Sequence, residues 1–239
     1  MITKDIIRQR HSVRSYLDKP IDPEALNKLN EIVDECNKEG NMHVQIVCEE
    51  PKAFDGFMAH YGKFKNVKNY FALIGPKTND LDEKCGYYGA RLMLEAQALG
   101  LNTCCVYLTY KKISDAIEVK DNEKLVCVIA LGYGEDEGKP HNSKLYNDVV
   151  LTSEYNSDWL NNNPEIDFNS DDSPQWFKDG IEMALLAPTA MNQQKFEFML
   201  DGNTVHITPG FGVCTKIDLG IVKYFFEIGA GKENFVWKE

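Results

Sequence analysis

Apolar residues recur at helical spacing through 22–40, where they form one face of a predicted helix. The positions on that face are Leu26, Leu29, Ile32, Val33 and Cys36. Their three-to-four-residue period is that of an amphipathic helix. Asp22 supplies an N-cap, Pro23 suits the first helical position, and Gly40 ends the run. The pattern predicts a helix from 22 to 40.

Other parts of the chain show the same two patterns, helical periodicity and short apolar runs. They predict helices at 2–9, 86–100, 112–119, 176–187 and 217–231. They predict strands at 43–49, 70–76, 102–108, 124–134, 196–200 and 205–208. The aromatic residues Tyr224, Phe225 and Phe226 lie within a predicted helix, and we expect them in the core. Helices and strands in this order indicate an α+β fold.

The composition changes after residue 150, which suggests a division of the chain. No basic residue lies between Lys144 and Lys178, and this stretch is rich in Asn, Asp, Ser and Pro. We therefore predict a first half at 1–150, a linker at 151–172 and a shorter second half at 173–239. The ending "EIGAG" (227–231) is similar to "EAQALG" (95–100), which suggests a truncated second copy related by a pseudo-twofold axis. The alternative is an unrelated helical cap.

Bulk composition excludes several classes of function. The chain has 239 residues, 43% of them apolar, and no apolar run near the roughly 20 residues of a membrane span. A net charge of −11 argues against a nucleic-acid partner, which requires a basic surface. The N-terminus has no signal-peptide core, so we expect a cytoplasmic protein with no membrane partner. Seven cysteines without a C-x-x-C pair indicate buried reduced thiols, and five histidines without ligand spacing predict no metal site.

Four segments carry a resemblance to a known family. They are "RHSVRSYLDKPI" (10–21), "LMLEAQALGLNTCCV" (92–106), "VIALGYGEDEGKPH" (128–141) and "APTAMNQQKFEF" (187–198). Together they resemble the FMN-dependent nitroreductase family, and the ending at 218–231 is similar to its fused, pseudo-dimeric subfamily. The resemblance implies a mainly antiparallel sheet surrounded by helices. It also implies FMN as cofactor, NAD(P)H as reductant and an electron-poor acceptor such as a nitroaromatic or quinone.

The position of the last motif departs from the family pattern. In ordinary members the Asn/Gln element follows the first long helix, whereas here it lies in the second half of the chain. Family members are homodimers with a flavin at the interface. The resemblance therefore implies that the amino-terminal and carboxy-terminal turns together form one site, so a monomer would suffice.

The resemblance assigns cofactor-binding roles to residues in both halves. Guanidinium groups and hydroxyls bind phosphate well, so Arg10 and Ser12, with His11, are the phosphate candidates. Arg14 is placed beside the N1–O2 edge of the flavin, where a fixed positive charge stabilises the reduced ring. Further basic candidates are Lys65, Lys139, His141 and Lys144, although His141 replaces an arginine common in relatives.

The remaining candidates are neutral. Tyr107 and Leu108 stand where many members have paired glycines, so their side chains would narrow access to the ring. The exposed turn offers Pro188, Thr189, Asn192 and Gln194 as partners for the flavin's polar edge. No catalytic side chain is expected, because the flavin carries the chemistry.

Several alternatives remain open from the sequence. The arginines at 10 and 14 could belong to a solvated basic turn, and 188–194 could be a surface loop after a core helix. The chain could also bind a flavin without turnover, or perform a different flavin reaction such as dehalogenation or flavin breakdown. Fold alone does not decide among these activities.

Overall fold

The computed structural model describes residues 2–56, 62–152 and 173–238, and it places helices around two β-sheets. The helices are α1 (Lys4–Gln9), α2 (Pro23–Gly40), α3 (Leu81–Ala98), α4 (Gln175–Ala184) and α5 (Thr215–Ala230). The strands are β1 (Gln45–Val47), β2 (Asn69–Pro76), β3 (Asn102–Val106), β4 (Glu123–Gly132), β5 (Val150–Thr152), β6 (Phe196–Asp201), β7 (Thr204–Pro209) and β8 (Val236–Trp237). No helix within these ranges is both long enough and apolar enough to cross a membrane.

Each sheet has four strands. The first has the order β1-β2-β4-β3, and all its neighbouring strands are antiparallel. The second has the order β5-β6-β7-β8, with an antiparallel β6–β7 hairpin and parallel edge strands. The α+β, mainly antiparallel fold predicted from the sequence is confirmed. Strand β5 begins at Val150, the last residue of the predicted first half, but pairs with β6 in the second sheet.

The capping residues of α2 act as the sequence predicts. Asp22 Oδ1 accepts hydrogen bonds from the backbone N–H of Glu24 at 2.9 Å and of Ala25 at 3.4 Å. Pro23 opens the helix, and Asn41, with φ of 50°, ends it in a left-handed conformation. The apolar face of α2 is buried against the rest of the core. Local capping and burial therefore agree on the bounds of this helix.

Helices α3 and α5 cross at the centre of the molecule with backbones in close contact. A Cβ atom on Gly86 of α3 would collide with the carbonyl oxygen of Ile217, and a Cβ on Gly220 of α5 would collide with that of Glu83. The two contacts are reciprocal, because each glycine packs on the carbonyl three residues before the other. Lys223 of α5 also pairs with Glu83. The predicted core residues Tyr224, Phe225 and Phe226 are buried.

The structure corrects several predicted elements. The helix expected at 112–119 is wrong; the segment contains only a turn at 114–116. The backbone of Glu118 forms hydrogen bonds with a distant side chain instead. The Gln45 side chain accepts from Glu118 N at 2.9 Å and donates to Glu118 O at 2.7 Å. The strand expected at 102–108 ends at 106, and the strand β5 begins where the linker was expected. Most of that linker, 153–172, lies outside the described residues.

Candidate functional site

A cavity of about 460 Å³ lies where the two halves meet. Its walls come from Ser12 and Arg14 near the amino terminus, from 104–109 at the end of β3, from 188–191, and from Asp218 on α5. Cavities of roughly 300–1,000 Å³ are typical of small-molecule sites. The amino-terminal turn (10–16) and the carboxy-terminal turn (187–194) thus share one crevice, as the sequence led us to expect.

The amino-terminal turn is held against strand β3 by backbone hydrogen bonds. Val13 N donates to Thr103 O at 3.1 Å, and Ser12 pairs with Thr103 in a parallel bridge. On the other side, Lys65 N donates to Arg14 O at 2.9 Å. These bonds fix the amino-terminal turn between strand β3 and the segment that contains Lys65. Ser12 and Arg14 are consequently presented to the cavity by ordered backbone.

Arg10 is a buried cation that lies outside the cavity lining and has no partner among the residues that the structure describes. It ends α1 with 3% of its surface exposed, and its Nε and Nη1 atoms have no hydrogen-bond acceptor. Burial lowers the pKa of Arg10 to about 10, and the neighbouring Cys104 and Cys105, which line the cavity, partly offset that effect. An unpaired buried guanidinium is costly, so the arrangement fits an anionic ligand group that would complete it.

The carboxy-terminal turn follows α4 and has strained backbone. Met191 and Asn192 have φ values of 53° and 55°, which is uncommon for residues other than glycine. Ala190 N donates to Asp218 at 2.9 Å, and Thr189 Oγ1 accepts from Gln194 N at 3.1 Å. Pro188 and Thr189 line the cavity. The surrounding hydrogen bonds hold a turn that its own backbone preferences would not favour.

Asp218 is a site residue that the sequence interpretation missed. It lies in the first turn of α5, is 4% exposed, and lines the cavity. Its carboxylate accepts from Ala190 N and, at 2.8 Å, from Gln193 Nε2. Burial raises the pKa of Asp218 to about 6, although both hydrogen bonds favour the charged form. The signal in the sequence that could have identified Asp218 was its place as a single acidic residue in the otherwise apolar stretch 217–222.

We expect Asp218 to make stability depend on pH. Its pKa rises from 3.8 to about 6 on folding, so the folded state binds the proton more tightly than the unfolded state. Its contribution is therefore fully present below about pH 4 and is lost as pH rises through about 6, a loss on the order of 3 kcal/mol. Urea unfolding of wild type and of Asp218→Asn between pH 4 and 8 measures this loss of stability. Parallel stability curves for the two proteins would contradict the assignment.

Several predicted basic residues do not reach the cavity. Lys65 Nζ instead pairs with Glu135 Oε1 at 2.7 Å, on the outer side of its segment. Lys139 is exposed and does not line the cavity. His11 is half-buried and outside the cavity lining, and the pKa of His11 is lowered by burial and by the charges of Arg10 and His141. The structure supports none of these three side chains as a cavity wall.

A second group of predicted site residues binds the turn rather than facing the cavity. Gln194 is buried; its Oε1 accepts from Lys144 N at 2.9 Å, and its backbone O accepts from Lys144 Nζ at 2.8 Å. Asn192 Nδ2 donates to Asn142 O at 2.9 Å, and His141 Nε2 lies 2.9 Å from Leu185 O. Because these groups already have protein partners, we correct the role of Lys144, His141, Asn192 and Gln194 to holding the turn.

The end of β3 supplies the remaining wall of the cavity. Tyr107 and Leu108 line it with exposed side chains. Three thiols also line it, those of Cys104, Cys105 and Cys214. Burial raises the pKa of Cys104 and of Cys214 to about 11, so both thiols are protonated near neutral pH. All seven cysteines are free, as predicted, although Cys48 is exposed.

Comparison with known proteins identifies the family. A family model described as "Putative TM nitroreductase" matches residues 2–230. A "putative nitroreductase" from Thermotoga maritima is 18% identical, with a TM-score of 0.62 over 96% of this chain and 83% of that chain. A "Nitroreductase Family Protein" from Streptococcus pneumoniae is 14% identical, with a TM-score of 0.50 over 62% of this chain and 98% of that chain.

At these identities the two structures show the fold alone, and none of the curated proteins searched matches the sequence. The nitroreductase fold predicted from the sequence is nevertheless confirmed. Because the family model spans residues 2–230, the chain belongs to this nitroreductase family.

Proposed function

We propose that the protein is an FMN-dependent oxidoreductase of nitroreductase type, moving electrons from NAD(P)H to an electron-poor acceptor such as a nitroaromatic or quinone. The observation that carries this proposal is the buried guanidinium of Arg10, which has no partner among the described residues and lies near Cys104 and Cys105 in the wall of a cavity bounded by both turns. A phosphate monoester supplies the acceptor oxygens that such a guanidinium lacks. Family membership supports the reaction class.

The residues present suit the separate parts of an FMN molecule. Arg10 and the Ser12 hydroxyl would bind the phosphate, which needs charge and hydrogen-bond donors. Arg14 lines the cavity and would face the electron-rich edge of the ring. Pro188 and Thr189 would contact the ligand from the second half of the chain. The proposed set is therefore smaller than the sequence suggested, because His141, Lys144, Asn192 and Gln194 already have protein partners.

FMN, when bound, supplies the hydride and electron transfer that protein side chains cannot perform. The chain's own residues then bind, orient and shield it. Arg14 contributes a fixed positive charge, which stabilises negative charge developing on a ligand in a site of low dielectric. Asp218 holds the carboxy-terminal turn by the contacts to Ala190 and Gln193. The buried thiol of Cys104 stays neutral and adds no charge to the wall.

We also propose that the chain is an internal pseudo-dimer, with the first half at 1–150 and a truncated second half at 173–239. The order α2-β1-β2-α3 is repeated as α4-β6-β7-α5, and in both cases the two strands are antiparallel. The reciprocal contacts of Gly86 and Gly220 are those expected of two helices related by a twofold axis. A fused pair would assemble the site within one chain, as a monomer.

Flavin stoichiometry and reduction test the proposal. We expect purified protein reconstituted with FMN to hold one flavin per chain and to sediment as a monomer. Its absorbance near 450 nm should bleach anaerobically with NADH or NADPH and return on adding a quinone. Protein that does not retain FMN would refute the cofactor, and two flavins per chain would refute the single site. Retention without bleaching by either nicotinamide would instead indicate binding without turnover.

A further inference from the structure

The mouth of the cavity is surrounded by exposed apolar side chains. We call Tyr107, Leu108, Met191 and Val213 the collar; all four line the cavity, with exposures of 37%, 65%, 82% and 48%. They come from three separate segments of the chain, at 107–108, 191 and 213, and meet only in the folded chain. Large apolar side chains clustered at the edge of a cavity are characteristic of a surface that a ligand covers.

The collar is held in position by hydrogen bonds within the site. Gln193 Nε2 donates to Val213 O at 2.6 Å and also to Asp218 Oδ2 at 2.8 Å, so one amide ties the loop before α5 to the carboxylate. Ala190 N donates to the same carboxylate, and this fixes the residue before Met191. Met191 itself has left-handed backbone, which directs its side chain outward. The part of the collar formed by Met191 and Val213 is therefore pre-formed.

Charge within the cavity disfavours a second anion. Among the described residues that line it, Arg14 is the one arginine or lysine and Asp218 is the one carboxylate. The proposed flavin site uses Arg14, so a second ligand would meet apolar walls and a buried negative charge. An anion there would lose its hydration without gaining a cationic partner. The cavity therefore discriminates against anionic ligands in favour of uncharged ones. The chain's net charge of −11 acts in the same direction.

We propose that the collar makes this site selective for flat, uncharged acceptors that carry an apolar extension, and that Asp218 excludes anionic acceptors of the same shape. This inference rests on the flavin site proposed above. The quinone ring of such an acceptor would enter the cavity, and its apolar extension, such as the fused benzene ring of a naphthoquinone, would cover Leu108 and Met191. Selectivity then depends on two separate features, apolar area at the mouth and charge inside.

Binding to the oxidised FMN-loaded protein tests this without turnover, because oxidised flavin does not react with a quinone. The probes are 2-methyl-1,4-naphthoquinone and 1,4-naphthoquinone-2-sulfonate, which differ chiefly in charge. We expect the uncharged quinone to bind at least about tenfold more tightly. Leu108→Ser and Met191→Ser should each weaken it about tenfold, since covering half such a side chain corresponds to about that factor. Because the two probes share the same bicyclic ring, each change should weaken sulfonate binding by a similar factor.

Two further variants separate the collar from the charge. Leu145→Ser is the matched control, because Leu145 is 73% exposed but does not line the cavity, and it should leave both constants unchanged. Asp218→Asn should tighten sulfonate binding several-fold. Equal binding of the two probes by wild type would overturn the proposal, as would unchanged binding of the uncharged quinone in the collar variants. A collar that instead mediates self-association, lost in Leu108→Ser while quinone binding persists, would also overturn it.

These outcomes are distinct from failure of the proposed function. If the protein retains no FMN, the cofactor assignment fails before any quinone is added. If it binds one FMN and bleaches with a nicotinamide but does not discriminate between the probes, only the collar proposal fails.

Discussion

Replacing Arg10 by methionine is expected to stabilise the FMN-free protein while weakening FMN binding about a hundredfold. The guanidinium is 3% exposed, and two of its nitrogen atoms have no partner. A pKa lowered from 12.5 to about 10 corresponds to a burial cost on the order of 3 kcal/mol for the charged side chain. Methionine fills a similar volume without that cost. Losing a buried contact to a phosphate typically costs about 2–5 kcal/mol of binding energy.

The two effects of Arg10→Met have opposite signs, which makes the test specific. Urea unfolding without FMN measures the first, and fluorescence titration with FMN measures the second. Arg8→Met is the matched control, because Arg8 lies two residues away but is exposed and paired with Asp5 and Glu182. It should change both quantities little. If Arg10→Met lowered stability and left FMN affinity unchanged, Arg10 would be a structural residue only.

The second large effect is expected at the crossing of α3 and α5. A methyl group added by Gly220→Ala would overlap the backbone of Glu83 and Tyr87, which no side-chain movement can relieve. Alanine favours a helix over glycine by about 1 kcal/mol, but separating two packed helices costs more, typically about 1–3 kcal/mol and sometimes beyond. Because the clash is with backbone on both sides, we expect a net loss of about 3 kcal/mol.

Thermal unfolding measures this loss as a decrease of roughly 6–12 °C in Tm. Gly56→Ala is the control, since a Cβ there has no atom within 4 Å and the backbone does not require glycine. Gly86→Ala should reproduce the loss, because its contact with Ile217 is the reciprocal one. A Gly220→Ala protein as stable as wild type would show that the two helices can separate without cost. The reciprocal packing of the two helices would then no longer support a pseudo-dimer.

Much of this fold follows from local signals in the sequence. Asp22 and Pro23 define the start of α2 through bonds to its first turn, so the sequence alone locates that helix. The helix expected at 112–119 fails because the Gln45 side chain, 73 residues away, takes the backbone bonds of Glu118. Periodicity contains no information about such a distant partner. The same limit explains why Asp218 was missed.

The residues of the candidate site show the same contrast between what the local sequence predicts and what depends on distant partners. Ser12, Arg14, Pro188 and Thr189 were predicted from residue types that suit a flavin in short, contiguous motifs, and all four line the cavity. Lys144, Asn192 and Gln194 carry the same chemical groups, but hydrogen bonds to neighbouring segments occupy them. Residue type indicates what a side chain can bind. Only its position indicates whether a protein atom already fills that role.

Local sequence patterns therefore predicted the five helices that form and the principal strands, and the four motifs predicted the family and the two turns that meet. The tertiary structure decided which side chains remain free to bind a ligand, and it brought Asp218 and the collar to the cavity. The physical reason is that helix caps and apolar periods act between near neighbours. Burial, unpaired charge and exposed apolar surface arise only when distant segments pack together.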